Sequence, residues 1–164
     1  MWPRGRRRII LPRVSPNPGT VWLVAGGWLS LAAAVTHLAV ILGGPDWYRF
    51  FGAGEEMARA AERRELTPAV VTLGIAAILA IWSGYAFSGA GRILRLPLLR
   101  TGLVTISAIY LARGLAFIPL HLSRPDLSDA FMFWSSLIVL VYGLTYAIGT
   151  WRAWPHLRPP NPLP

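Results

Sequence analysis

The sequence predicts an all-α membrane protein, a four-transmembrane-helix bundle with a short amphipathic surface helix between helices 1 and 2. Hydrophobic residues make up 54% of the 164-residue chain, and they are concentrated in four long blocks. A helix of about 20 apolar residues crosses the roughly 30 Å hydrocarbon core of a bilayer, because each residue adds about 1.5 Å. Only one block carries charge well inside its ends, and that block contains Arg113.

Backbone polar groups inside a bilayer have no water to bind, so each block should form a helix. Short connections between the helices favour a single bundle, residues 21–150, flanked by Pro-rich tails at 1–20 and 151–164. Proline lacks the backbone N–H and restricts φ, so VSPNPG at 14–19 and RPPNPLP at 158–164 should be extended. The predicted spans are about 21–43, 68–90, 96–119 and 129–150.

The connection between the first two spans has its own pattern. Residues 43–45, Gly-Gly-Pro, are a common helix stop. The aromatic residues within 47–51 suit the headgroup layer of a membrane. From about residue 54 to 65 the sequence predicts a surface helix, in which Glu55 and Arg59 have the favourable i,i+4 order. The segment is either a solvated connector or a lid over a ligand site.

The net charge of +9 is distributed unevenly. Five acidic residues lie in the 43–67 segment, and the other two are Asp126 and Asp129. Cytoplasmic segments of membrane proteins are enriched in basic residues, so both termini should be cytoplasmic, with 43–67 and 120–128 outside. The basic arm at residues 4–8 is then a topology signal that contacts anionic lipids, in preference to nucleic acid.

The first span has features of a cleaved signal peptide, because it follows basic residues and contains three alanines at 32–34. Its apolar block continues beyond these alanines and is longer than a typical signal core. We therefore expect a retained transmembrane helix.

Several polar residues inside the spans are predicted to lie at one depth. Counting from the outer end of each span places a polar residue of every helix roughly 8–10 Å below the outer boundary. We expect these side chains to line an outward-facing polar pocket, with two glutamates of the surface helix reaching down to it. The candidate ligand-binding residues are Arg113, His37, Glu55, Glu56, Tyr110, Ser135 and Thr72.

Two of these residues have alternative interpretations. An Arg costs about 2.5–3.5 kcal/mol at the centre of a membrane helix and less near an interface. Arg113 either extends to the headgroups or a loop carboxylate, or binds an anionic or carbonyl group of a ligand. His37 is either a hydrogen-bonded packing residue or a proton carrier or general base.

Several functional classes lack their characteristic residues. The chain has no Cys, which excludes disulfides, iron–sulfur clusters and thiol redox chemistry. His37 is the only His within a span, so two histidines cannot ligate a haem there. A zinc site would need His37, His121 and a carboxylate to converge without a ligand-spaced motif. We therefore predict no cofactor and no metal, whereas the question of enzymatic activity stays open.

Two runs carry a resemblance to known proteins: HLAVILGGPDWYRFFGAGEEMA at 37–58 and LPLLRTGLVTISAIYLARG at 96–114. With the four-span layout, they resemble small bacterial inner-membrane proteins and, more loosely, the DoxX-like four-helix membrane proteins. The resemblance implies a multi-pass protein of the bacterial inner membrane. It also implies quinone and redox partners, which the residues themselves do not indicate, and it transfers no catalytic residue.

Three functions compete on these observations. The first is a membrane protein whose outward pocket binds a lipid or a small anionic or carbonyl ligand. The second is a non-catalytic accessory or assembly subunit of a larger membrane complex, for which a membrane-protein partner would be expected. The third is an oligomeric channel or transporter, because four helices alone enclose little pore. Membrane lipids are expected partners of all three.

Overall fold

The computed structural model describes residues 17–124 and 130–158, and the chain is helical with no strand within these ranges. The basic arm at 4–8, Asp126, Asp129 and residues 159–164 of the C-terminal tail lie outside the described residues. The α-helices are α1 (Thr20–Gly43), α2 (Pro45–Phe50), α3 (Glu55–Glu62), α4 (Thr67–Gly89), α5 (Leu99–Leu115), α6 (Phe117–Ser123) and α7 (Ala130–Ala153). A 3₁₀ helix, Trp154–Leu157, follows α7 directly.

Four helical segments of the described chain are long and apolar enough to cross a membrane: Thr20–Gly43, Thr67–Gly89, Leu99–Ser123 and Ala130–Leu157. Only 22% to 28% of the residues in the most apolar part of each are buried, so their remaining apolar surface faces outward. An outward apolar surface of this extent fits hydrocarbon and not water. The chain is a multi-pass membrane protein, and the predicted all-α four-helix bundle is confirmed.

The bundle is built from two tightly packed antiparallel pairs, α1 with α4 and α5 with α7, which meet through α1 and α7. One end of the bundle carries α2, α3 and α6, and we call it the connector end. The opposite end carries Asn17, the loop 90–98 and the 3₁₀ helix, and we call it the termini end. Asn17 Nδ2 donates to Gly89 O over 3.0 Å, which ties the start of α1 to the end of α4.

A polar contact in the centre of the bundle joins all four spanning helices. Ser30 of α1 is fully buried, and its Oγ lies 2.9 Å from the hydroxyls of both Tyr110 and Tyr146. Tyr146 in turn donates to the backbone carbonyl of Trp82 over 3.0 Å. Polar side chains inside a bilayer must bind one another or the backbone, so this contact satisfies three hydroxyls at once.

The third span departs from its predicted form of one helix over 96–119. Helix α5 begins at Leu99, and the helix is interrupted at Ala116 before α6 begins. Pro119 explains the interruption, because it has no N–H to donate to Leu115 and its ring crowds that carbonyl. The other spans differ from the predicted boundaries by three residues or fewer, the largest difference being the extension of α7 to Ala153.

The chain after the fourth span was predicted to be a Pro-rich tail from residue 151, with an extended segment at 158–164 that lies almost entirely outside the described residues. Instead α7 and the 3₁₀ helix continue to Leu157, whose side chain is 2% exposed. Pro155 lies in the first turn of the 3₁₀ helix, where a missing N–H costs nothing. The composition therefore indicated the end of the α-helix but not the folding of the following turn against the bundle.

The connector between α1 and α4 contains two short helices. Gly44 has φ of 69°, which ends α1 and lets α2 begin at Pro45. Most of the aromatic segment at 47–51 belongs to this helix α2, and α3 is the predicted surface helix. A small apolar cluster of Val40, Tyr48 and Ala58 fixes both short helices against the end of α1.

Candidate functional site

A cavity of about 460 Å³ opens at the connector end, between the connector and the adjoining ends of α5 and α7. It unites residues from three parts of the chain that are distant in sequence. Three of the seven candidate residues lie in its wall: Arg113, Glu55 and Ser135. The full lining is Arg49, Gly52, Gly54, Glu55, Arg113, Phe131, Met132 and Ser135.

Arg113 reaches the cavity from the last turn of α5. Its Nη1 donates to Ser136 Oγ on α7 over 3.2 Å, and Ser136 itself is 3% exposed. Among the described residues, no carboxylate forms an ion pair with Arg113. A guanidinium has five N–H donors in a rigid fork, so one bond to Ser136 leaves donors for a ligand.

The second guanidinium in the cavity, that of Arg49 on α2, forms ion pairs with carboxylates, unlike that of Arg113. Its Nε donates to Glu55 Oε2 over 3.0 Å, and its Nη2 donates to Glu62 Oε1 over 2.7 Å. Asp46 lies 3.5 Å from its Nη1. Three carboxylates therefore neutralise Arg49. The pairs with Glu55 and Glu62 cross the turn between α2 and α3, so the spacing in the sequence did not suggest them.

Glu55 is held in its ionised form by this arrangement. Hydrogen bonds from Arg49 and then from Arg59 lower the pKa of Glu55 to about 2. The same contacts with Glu55 and Glu62 raise the pKa of Arg49 above its ordinary value. Glu55 thus belongs to a closed set of ion pairs, and its role in the cavity is to hold Arg49 rather than to accept a proton. The predicted Glu55–Arg59 pair is confirmed, with Arg59 Nε 3.1 Å from Glu55 Oε1.

The turn between α2 and α3 forms the roof of the cavity. Gly52 has φ of 66°, and a Cβ atom at this position would lie 2.1 Å from the ring of Phe131. Only glycine allows this close approach of the turn to the first residues of α7. The connector therefore covers the cavity through a direct contact with α7, in the position expected of a lid.

The other four candidate residues do not line this cavity. Glu56 is exposed on α3, and Thr72 is buried on α4 away from the lining. His37 Nδ1 lies 2.8 Å from the carbonyl of Ala33; because a carbonyl only accepts, His37 carries its proton on Nδ1. Tyr110 is bound to Ser30 in the centre of the bundle.

The candidates differ in position because residue counting along a helix gives depth but not direction around the axis. Four of them, one in each span, share a predicted depth, but their helices turn these side chains to different neighbours. Of the described residues, no group of three or more His, Asp or Glu side chains could hold a metal ion. The cavity instead presents a guanidinium that no carboxylate of the described residues neutralises, beside aromatic surface, and this guanidinium can bind an anion or a carbonyl oxygen.

Comparison with known protein families, characterised proteins and solved structures finds no match to this chain. The interpretation of the cavity therefore depends on its own geometry.

Proposed function

We propose that this protein is a multi-pass protein of the bacterial inner membrane whose connector-end cavity binds the anionic or carbonyl-bearing headgroup of a lipid or small ligand. The observation that carries the proposal is the contrast between two arginines in one cavity. Arg49 is neutralised by three carboxylates, whereas Arg113 has a single hydrogen bond to Ser136 and no ion pair among the described residues.

The distribution of charge supports an orientation in which the connector end faces outward and both termini are cytoplasmic. Every acidic residue that the structure describes lies in the connector between α1 and α4. Arginines dominate the opposite end, where the described chain has no acidic side chain. Basic residues favour the cytoplasmic side of a membrane, which supports this orientation and an outward-facing cavity.

The energetics of Arg113 favour an anionic ligand. A guanidinium placed within a transmembrane segment is costly unless it is paired or reaches water. A phosphate or carboxylate could bind it through two parallel charge-assisted hydrogen bonds, which are about twice as strong as neutral ones. Ser135, also in the wall, donates its hydroxyl hydrogen to the carbonyl of Met132 over 3.1 Å, so Arg113 is the donor that a ligand oxygen would meet.

Native mass spectrometry of the protein extracted in mild detergent from its own membranes tests the proposal. We expect a bound molecule on the wild-type chain, loss of that molecule in Arg113→Leu, and partial retention in Arg113→Lys, which keeps the charge but not the fork. Arg92→Gln is the matched control, because it removes one exposed arginine of the termini end. The mass of the released molecule distinguishes a phospholipid from a free small anion.

Equal retention by Arg113→Leu and the wild type would contradict the proposal, provided that both remain folded by circular dichroism. A stoichiometric protein with no small ligand would instead support the accessory-subunit function. That alternative is favoured by one observation: Phe50 is 75% exposed and Trp47 43% exposed beside a shallow apolar cavity at the connector end.

A further inference from the structure

The termini end holds two fixed guanidinium groups that no carboxylate of the described chain neutralises. Arg95 donates from Nη1 to His156 O over 3.5 Å and from Nη2 to Leu157 O. Arg100 donates from Nη2 to Trp154 O over 2.6 Å. These bonds cap the carbonyls of the 3₁₀ helix and fix both side chains, but a carbonyl carries no full charge. Positive charge therefore remains at this end.

Arg95 and Arg100 line the same cavity, of about 470 Å³, together with Thr101 at the beginning of α5. The preceding residue, Leu98, provides no side-chain cap for the helix. The first backbone N–H groups of α5 therefore add partial positive charge to that of the two arginines. Arg158 adds to the positive potential at Arg100. Because the described residues supply no compensating carboxylate here, a bound anion would be the neutralising partner.

A second cavity, an apolar groove of about 530 Å³, lies along α5 and α7. It is lined by Val104, Ser107, Ala147, Thr150, Trp151 and Trp154. Trp151 is 77% exposed and Val104 47% exposed, so the groove opens towards the surrounding membrane. Its lining on the fourth span runs from Ala147 to Trp154, which gives the groove a length of about 10 Å along the helix axis.

Trp154 joins the two cavities. Its indole lines the apolar groove, and the guanidinium carbon of Arg100 lies 4.5 Å from its ring centroid. Arg100 itself lines the cationic cavity, and its Nε is buried without a partner among the described residues. Thr150, in the wall of the groove, is 5% exposed, and its Oγ1 has no partner among the described residues either. The contact between Arg100 and Trp154 thus places a positive charge at one end of the apolar groove.

We propose that the two joined cavities form a binding site for one anionic phospholipid, with its phosphate at Arg95 and Arg100 and an acyl chain in the groove. The charge of the site selects an anionic headgroup, because a zwitterionic one brings an ammonium group into an uncompensated positive field. The apolar groove selects a lipid over a free phosphate. Exposed Leu94 and Leu98, at 90% and 77%, flank the cationic cavity and place it at the membrane surface.

The experiment measures lipid retention by the purified full-length chain in detergent. The protein is incubated with equal amounts of phosphatidylglycerol and phosphatidylcholine of matched acyl chains, and bound lipid is counted by native mass spectrometry. The wild type should retain phosphatidylglycerol preferentially. Arg100→Gln should weaken that retention roughly fivefold, the effect expected for one arginine near an anionic headgroup. Arg100→Lys should keep most of it.

Two further variants distinguish lipid binding in the groove from a general effect of positive charge. Val104→Trp fills the groove without touching either arginine, so it should reduce retention even if Arg100→Gln loosens the 3₁₀ helix. Arg92→Gln removes an exposed charge of the same loop and should leave retention unchanged. Glycerol 3-phosphate, which has the headgroup chemistry without acyl chains, should not displace the lipid.

Equal retention of the two lipids by the wild type would overturn the proposal, and so would equal losses in Arg92→Gln and Arg100→Gln. A dimer that Val104→Trp dissociates would show that a second copy of the chain occupies the groove, which also overturns it. Arg113→Leu, at the other end of the bundle, should leave this lipid in place. The lipid site is therefore tested independently of the connector-end cavity.

Discussion

The hydroxyl oxygens of Ser30 and Tyr146 lie 2.9 Å apart in the centre of the bundle, although 116 positions separate the two residues in the chain. The direction of the bonds follows from counting hydrogens. Tyr146 donates its only hydroxyl hydrogen to Trp82 O, so it must accept from Ser30. Ser30 has then used its hydrogen and accepts from Tyr110. The result is an ordered series of three hydroxyls ending on a backbone carbonyl, with one contribution from each spanning helix.

Replacing Ser30 with Ala should destabilise the bundle by about 1 kcal/mol, because Tyr110 loses its acceptor while it stays buried. Unfolding in a detergent mixture, followed by tryptophan fluorescence, measures the change. Thr36→Ala is the matched control, since the Thr36 hydroxyl donates only to Ala32 O of its own helix. It should change stability much less than Ser30→Ala.

A double-mutant cycle of Ser30→Ala with Tyr110→Phe tests whether the two residues act through each other. If they do, the double variant should lose less stability than the sum of the single losses. Strict additivity would show that the Ser30–Tyr110 bond does not contribute to the stability of the bundle.

The parts of this fold that sequence could predict are those that depend on local composition. The four spans and their order follow from hydropathy, which is a property of each segment by itself. The small residues beside Ser30 likewise indicated the buried stripe of α1. Pro119 is visible in the sequence. Whether a proline interrupts a transmembrane helix depends on how the neighbouring helices pack against it, so the break at Ala116 was not predicted.

The site was only partly predictable, for a related reason. Arg113 was recognised because a charge inside an apolar span is unusual by itself. Arg49 was missed because it lies in a charged connector, where its bonds to Glu55 and Glu62 depend on how α2 and α3 fold together. His37 was placed in the pocket from depth alone, and the direction of its side chain depends on the packing of α1.

Gly114 determines how closely α5 and α7 approach. A Cβ atom at Gly114 would lie 2.9 Å from the Cα and backbone N of Leu140, so a methyl group must push the two helices apart. We expect Gly114→Ala to destabilise the bundle by about 1–3 kcal/mol. Gly74→Ala is the control, because a Cβ atom at Gly74 on α4 would meet no other atom within 4 Å. Gly74→Ala should be neutral or slightly stabilising, and equal losses in both variants would contradict the close packing at Gly114.

Tyr48 carries a buried hydroxyl without a partner among the described residues, although the side chain is only 2% exposed. Tyr48→Phe removes this desolvated group and keeps the ring against Val40 and Ala58. The variant should be as stable as the wild type or more stable by about 1 kcal/mol. Tyr48→Leu, which also loses the ring, should be less stable. A clear loss in Tyr48→Phe, measured by thermal unfolding in detergent, would reveal a hydrogen bond at this hydroxyl.

The ion pairs of Arg49 predict that the stability of the fold depends on pH only in the acidic range. The pKa of Glu55 is lowered from its usual 4.5 to about 2, chiefly by hydrogen bonds from Arg49. A lowered folded-state pKa stabilises the fold fully above about pH 4.5, and this contribution is lost as the pH falls from there towards 2. Glu55 and Arg49 are 49% and 36% exposed, so solvent and salt screen the effect.

Carboxyl-carbon NMR of the protein in micelles would follow Glu55 directly. In the wild type its signal should remain that of a carboxylate at about pH 4, where an ordinary Glu is largely protonated. Arg49→Gln should move the midpoint back towards 4.5, because the first cause of the lowered pKa is removed.

Since Arg49 and Glu55 both line the roofed cavity, the same variant should loosen the connector over α7 and speed the exchange of its backbone amides with solvent. A wild-type midpoint near 4.5 would mean that Arg49 does not hold Glu55, and the lid would then need another support.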